Sequence, residues 1–274
     1  MQVFDDRVCA LGEGPLWHPE RQELFWFDIL GKRLLSKARV WSFDEHVSAA
    51  GWVDRDMLLV ASEMGLWRFD LATGARDLVA ALEADTPLTR SNDGRADPFG
   101  GFWIGTMGKA SEPRAGAIYR YFRGDLRRLV DRVTVSNSIC FSPDGTFAYY
   151  TDTWSQQIMR QALDGQGWPA GEASVFVDLK AEGLNPDGSV VDATGCLWNA
   201  QWGAARVARY GPDGAFMDAV PVPASQASCP AFGGHDLDIL HVTSAAVGLD
   251  EDGAGQTFSM KLDVKGQAEQ RVIL

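Results

Sequence analysis

Asn185-Pro186-Asp187-Gly188-Ser189-Val190-Val191-Asp192-Ala193-Thr194-Gly195-Cys196-Leu197-Trp198-Asn199-Ala200 reads as strand, tight turn, strand. Ser189–Val191 is short and β-branched, Asp192–Gly195 is a turn closed by glycine, and Cys196–Trp198 resumes the apolar run. Ahead of the first strand stands Asp187, between a proline and a glycine. A carboxylate at the mouth of a rigid hairpin can be aimed, but an isolated Pro-Asp-Gly is ordinarily only a turn. Whether the hairpin recurs decides between the two.

It recurs. The second strand of this hairpin begins near Leu197, and comparable runs begin at Leu24, Leu58, Phe102, Phe147 and Leu240. In chain order the intervals are 34, 44, 45, 50 and 43 residues. Most of these runs are followed by a further strand-like segment: Leu66–Phe69, Ala117–Tyr121, Ile158–Arg160, Arg206–Tyr210 and Thr257–Met260. Glycine-bearing turns follow the third strand at Asp70–Gly74, Leu163–Gly165 and Gly211–Gly214. Units of about 45 residues, each of three or four strands, predict an all-β chain folded as one six-bladed β-propeller over residues 1–274. A two-sheet sandwich would not impose an even period. Only stretches such as Arg76–Asp85 read as a helical turn or two. A ring must join its ends, so Gln2–Val8 is expected to complete the last blade beside Arg271–Leu274.

Composition narrows the partners. Ten Trp and 29 Gly among 274 residues suit turn-rich β-structure. A net charge of −12 argues against nucleic acid, whose phosphates need a basic face. The cysteines Cys9, Cys140, Cys196 and Cys229 show no C-x-x-C pairing and are expected as buried free thiols. Met1–Gly14 has no basic segment leading into a long apolar core, and no run approaches ~18 apolar residues. A cytoplasmic protein without membrane association is expected.

The period gives Asp187 neighbours. It lies ten residues before Leu197, and the same offset from the other runs falls on Ser48, Asn92, Asn137, Pro230 and Gly14, with Glu13 one residue further back. Equivalent positions on innermost strands ring one mouth of a propeller channel. Glu13, Asn92, Asn137 and Asp187 should therefore converge. Oxygen donors from two carboxylates and an amide suit a hard divalent cation; a ring of polar caps for backbone groups is an equally good reading of the spacing alone.

Several motifs carry a resemblance: Leu11–Trp17, Arg90–Pro98, Gly105–Met107, Ser136–Ser138, Ser142–Gly145 with Tyr150–Thr153, and Pro186–Gly188 with Asp192–Trp198. In this order and spacing the chain resembles, over nearly its whole length, the senescence marker protein 30/gluconolactonase family, also called regucalcin-like. The resemblance implies a six-bladed propeller that binds one divalent cation at the top of the channel and hydrolyses aldonolactones. It implies Glu13, Asn137 and Asp187 as metal ligands, with Asp187 doubling as general base, and Arg90, Asn92 and Glu112 as substrate-binding residues. Calcium is the first expectation for the cation, with Zn²⁺, Mg²⁺, Mn²⁺ and Fe²⁺ as alternatives. The implied partner is a small sugar lactone, and the protein is expected as a monomer or weak homodimer. One departure is Ser138, where a glycine commonly follows the asparagine.

In the implied chemistry a bound cation polarises the lactone carbonyl and acidifies a coordinated water, while Asp187 takes its proton. Arg90 and Asn92 suit sugar hydroxyls and a developing oxyanion. No Gly-x-Ser-x-Gly elbow is present, which disfavours Ser-His-Asp catalysis. The alternatives are a promiscuous ester or phosphotriester hydrolase and a non-enzymatic calcium-binding regulatory propeller. Among other residues, His241 reads as core or surface and His235 as a loop residue. Asp93, Asp97 and Asp144 read as turn residues, and Trp103 or Trp202 as a wall for a sugar face.

Overall fold

The computed structural model describes residues 1–274. It contains six four-stranded antiparallel sheets and one short 3₁₀ turn, Thr153–Ser155. The sheets are the blades of a six-bladed β-propeller. Their innermost strands are Gly12–His18, Val47–Trp52, Thr89–Ala96, Ser136–Phe141, Asn185–Val191 and Ala227–Gly233, which begin blades 1 to 6. The second strands begin at Glu23, Met57, Phe102, Phe147, Leu197 and Ile239, each within one residue of its sequence-predicted start.

Closure differs from expectation in one respect. Gln2–Asp5 does complete blade 6, but it pairs with Thr257–Lys261, Gln2 opposite Ser259. The C-terminal residues instead cross the opposite end of the channel. Ala193 N donates to Lys265 O, Gln267 Nε2 donates to Phe141 O and Val191 O, and Val272 N donates to Trp52 O. Glu269 meets Arg95 there in a buried ion pair. Arg76–Ala81, read as helical, is the outermost strand of blade 2: the open edge of Gly65–Asp70 recruits it, and pairing overrides a weak helical pattern.

The core is six apolar clusters rather than one. The cluster of Leu16, Phe25, Phe27, Val47, Leu58 and Val60 joins blades 1 and 2, and that of Trp103, Ile118, Ile139 and Ala148 joins blades 3 and 4. Each cluster fills one gap between neighbouring sheets, so every blade is held from both sides. Burying one such aromatic or branched side chain is worth about 1.5–3 kcal/mol. Trp17, Trp26, Trp103 and Trp198 all pack in these gaps.

All six innermost strands share one irregularity. The register against the second strand slips between Glu13 and Leu16, Val47 and Ala49, Ser91 and Gly94, Asn137 and Cys140, Pro186 and Ser189, and Ala227 and Pro230. A β-bulge at one level of every blade turns side chains out of the alternating pattern. Pro186-Asp187-Gly188 is thus not a turn ahead of the strand but the bulge within it.

Candidate metal and active site

The bulges sit at the level where the predicted site residues lie. Glu13, Arg90, Asn92, Asn137 and Asp187 line one cavity of about 690 Å³ that opens at the end of the channel opposite the C-terminal segment. All five are nearly inaccessible, between 3 and 5% exposed. Amides and backbone fix their orientation. Arg90 Nη1 donates to Ser91 O at 2.8 Å and to Asn92 Oδ1 at 2.7 Å. Asn92 Nδ2 donates to Ser136 O at 2.9 Å and to Asn137 Oδ1 at 3.0 Å. Asn137 Nδ2 in turn donates to Thr153 Oγ1 at 2.9 Å, and Thr153 Oγ1 donates to Pro186 O at 2.8 Å. A continuous chain of hydrogen bonds therefore runs from blade 3 to the strand bearing Asp187.

The carboxylates are in a different condition. Glu13 accepts from the following amide, Gly14 N, at 2.8 Å, and its charge acts directly on Asp187 across the cavity wall. Burial, the Glu13 charge and the Asp93 charge push Asp187 well above the usual carboxylate range. Burial and Asp93 push Glu13 up in the same way. Two adjacent carboxyls in a dry site cannot both ionise without a compensating charge. Arg90 lines the same wall and feels the charge of both acids, and burial lowers its own pKa to about 10.

This donor set fits a divalent cation. Two hard carboxylate oxygens and an amide oxygen leave coordination positions for water and ligand, and a 2+ charge would relieve the carboxylate repulsion. No group of three His, Cys, Asp or Glu side chains arranged to hold a metal occurs in the chain, so a site here rests on two acids and an amide.

Glu112 does not join the cavity wall; its Oε2 accepts from Ala110 N at 3.0 Å within its own loop. The same loop sends Lys109 and Ser111 to the cavity instead. Asp93 is no turn residue: it lies in the innermost strand of blade 3, 4% exposed, where Oδ2 accepts from Ile139 N at 2.7 Å and burial raises its pKa to about 6. Asp97 and Asp144 do cap turns: Asp97 Oδ1 accepts from Phe99 N and Gly101 N while its Oδ2 pairs, fully buried, with Arg120 Nε at 2.6 Å, and Asp144 accepts from Ser142 and Thr146. Trp103 is fully buried between blades, whereas Trp202 does line the cavity beside the exposed Trp154. Thr153 and Trp154 went unassigned, although the Tyr150–Thr153 motif pointed at their loop.

His241 is buried between Phe4 and Trp17 with neither ring nitrogen hydrogen-bonded, and His235 is exposed in its turn. All four cysteines are buried free thiols. No helix is long and apolar enough to cross a membrane.

Comparison with known proteins adds family context. Residues 11–246 match the family model described as SMP-30/Gluconolactonase/LRE-like region. L-arabinolactonase of Azospirillum brasilense is 38% identical, covering 98% of this chain and 94% of its own. 6-Deoxy-6-sulfogluconolactonase of Pseudomonas putida is 31% identical, covering 95% and 94%. Among solved structures, a calcium-binding protein, regucalcin, from Agrobacterium tumefaciens superposes with a TM-score of 0.96 at 42% identity, covering 100% of this chain and 97% of that one.

Proposed function

The chain belongs to the SMP-30/gluconolactonase/LRE-like family, and from that premise we propose that it is a lactonase, a hydrolase that opens sugar lactones to aldonic acids at a divalent cation held by Glu13, Asn137 and Asp187. The observation that carries this reading is the pairing of two buried carboxyls with an amide, beside Arg90 and Asn92, on one cavity wall. When bound, the cation supplies polarisation of the lactone carbonyl and acidification of the attacking water.

The side chains divide the remaining work. Asp187, ionised once its charge is compensated, takes a proton from the water that attacks the lactone carbonyl. The ring C–O bond then breaks, and that proton passes to the leaving alkoxide oxygen. Both protein hydrogen bonds of Arg90 leave from Nη1, so its other nitrogens are free to donate to substrate oxygen. Asn92 sets the angle of Arg90 on one side and of Asn137 on the other. Glu112, tied into its own loop, would reach a substrate only through a rearrangement of that loop, whereas Lys109 lines the cavity with its ammonium held by Glu63 at 2.7 Å. The apolar rim of Leu30, Trp154, Trp202 and Val247 suits the C–H face of a sugar ring.

Calcium is the cation we assign first, because all three donors are hard oxygens. Four free thiols suit the reducing cytoplasm, and we place the protein there as a monomer or weak homodimer. A pure cation store would need no Arg90–Asn92 pair, which favours the enzyme. Proton release from glucono-, galactono-, xylono- and arabinonolactones tests the assignment. Turnover of at least one aldonolactone well above its spontaneous opening is expected; none across the panel refutes it.

A further inference from the structure

Ser138 stands beside Asn137 in the bulge of blade 4. It is fully buried and sits at φ +60°, a left-handed conformation that side-chain-bearing residues rarely hold. Blade 1 has the same bulge with a different solution. There the residue after Glu13 is Gly14, at φ +53°, where a Cβ would come within 2.2 Å of Ser48 O. Glycine is thus the unstrained occupant of this bulge, and blade 4 keeps a serine.

The hydroxyl accounts for it. Ser138 Oγ donates to the backbone oxygen of Asp187 at 2.6 Å and accepts from Ser189 Oγ at 3.0 Å. Thr153 Oγ1, already bonded to Asn137, donates to the preceding carbonyl, Pro186 O. Two successive carbonyls of the Asp187 bulge therefore receive hydroxyls from the blade that carries Asn137. The same device recurs at the other carboxylate: Ser228 Oγ of blade 6 donates to Gly12 O, next to Glu13, at 2.5 Å.

We propose that Ser138 is a positioning residue, whose hydroxyl fixes the spacing between Asp187 and Asn137 across the blade boundary and so sets the affinity of the site for its cation. This rests on the functional reading above. A residue kept only to fill space would be served as well by glycine, and the backbone would gain from the change.

Two substitutions separate these roles. Ser138→Ala removes the hydroxyl and keeps the strained φ; Ser138→Gly removes the hydroxyl and relieves it. Calorimetric titration with Ca²⁺ and with Mn²⁺, alongside thermal unfolding of the cation-free protein, reads both quantities. The expected result is a similar loss of affinity in both variants, ~10-fold, with the Gly variant melting several degrees above the Ala variant. An affinity that follows Tm, or a Gly variant binding like wild type, overturns the positioning role. A wild-type protein that binds neither cation overturns the functional reading and this inference with it.

Discussion

Asp187 and Asp192 stand at the two ends of one strand, both buried, and they are in opposite electrostatic states. At the lower turn Asp192 accepts from Thr194 N and Oγ1, Cys196 N and Trp198 Nε1, and pairs with Arg209 Nη2 at 3.0 Å. Burial works to raise its pKa, but these bonds prevail and hold it below the usual value. Asp187 shares its space with Glu13 and Asp93, and every large influence pushes its pKa up. A buried acid whose lone pairs are all answered is an anchor. One left in surplus beside another acid is a site waiting for positive charge.

The sharpest way to break this contrast is to exchange the phenotypes. Asp187→Asn is expected to lower lactone turnover roughly 10³-fold, within the range for a lost general base, while thermal stability without cation holds or rises because a repulsion is gone. Asp192→Ala should do the reverse. It strands Arg209 and the Trp198 indole, costing about 3–5 kcal/mol in denaturant unfolding, with kcat per folded molecule unchanged. Equal stability losses in both variants would erase the distinction.

A buried base sharpens the same idea by sign. His241 has no hydrogen-bond partner, and burial depresses its pKa from 6.5 to about 4. The unfolded chain therefore binds this proton more readily than the folded one. Its contribution is constant above about pH 6.5, and stability is lost as pH falls from there to about 4, by up to ~3 kcal/mol. In His241→Phe this component should vanish from the pH profile of urea unfolding; an unchanged acid slope would show that the depression is not real. The smallest effect is expected at the rim. Trp154 is 65% exposed, so Trp154→Ala should raise KM for an aldonolactone less than about tenfold, the worth of one stacking face, with kcat and Tm unmoved.

The ring was legible because blades repeat: counting from Leu24 to Leu240 places the second strands to within a residue. The same count gathered Glu13, Asn92, Asn137 and Asp187, since equal offsets in a closed array end on one rim. Counting could not show the bulges, because a slipped register leaves no compositional mark. For that reason Asp187 read as preceding its strand and Asp93 as a turn. The C-terminal segment was misplaced on similar grounds: its partners Phe141, Val191 and Trp52 come from three different blades, and no local pattern encodes such contacts. Glu112 went to its own loop amide, a choice between two short reaches that the Glu112-Pro113-Arg114 stretch does not reveal.

The central claim is that one cation compensates the surplus charge at Glu13 and Asp187 and that lactone opening depends on it. Turnover of a responsive aldonolactone, measured before and after EDTA and after Ca²⁺ or Mn²⁺ is restored, tests this most directly when wild type and Asp187→Ala are run together. The expected result is activity in wild type that chelation abolishes and cation restores, at one cation per chain, with the variant inactive throughout. Turnover insensitive to EDTA, or full activity in Asp187→Ala, would contradict it.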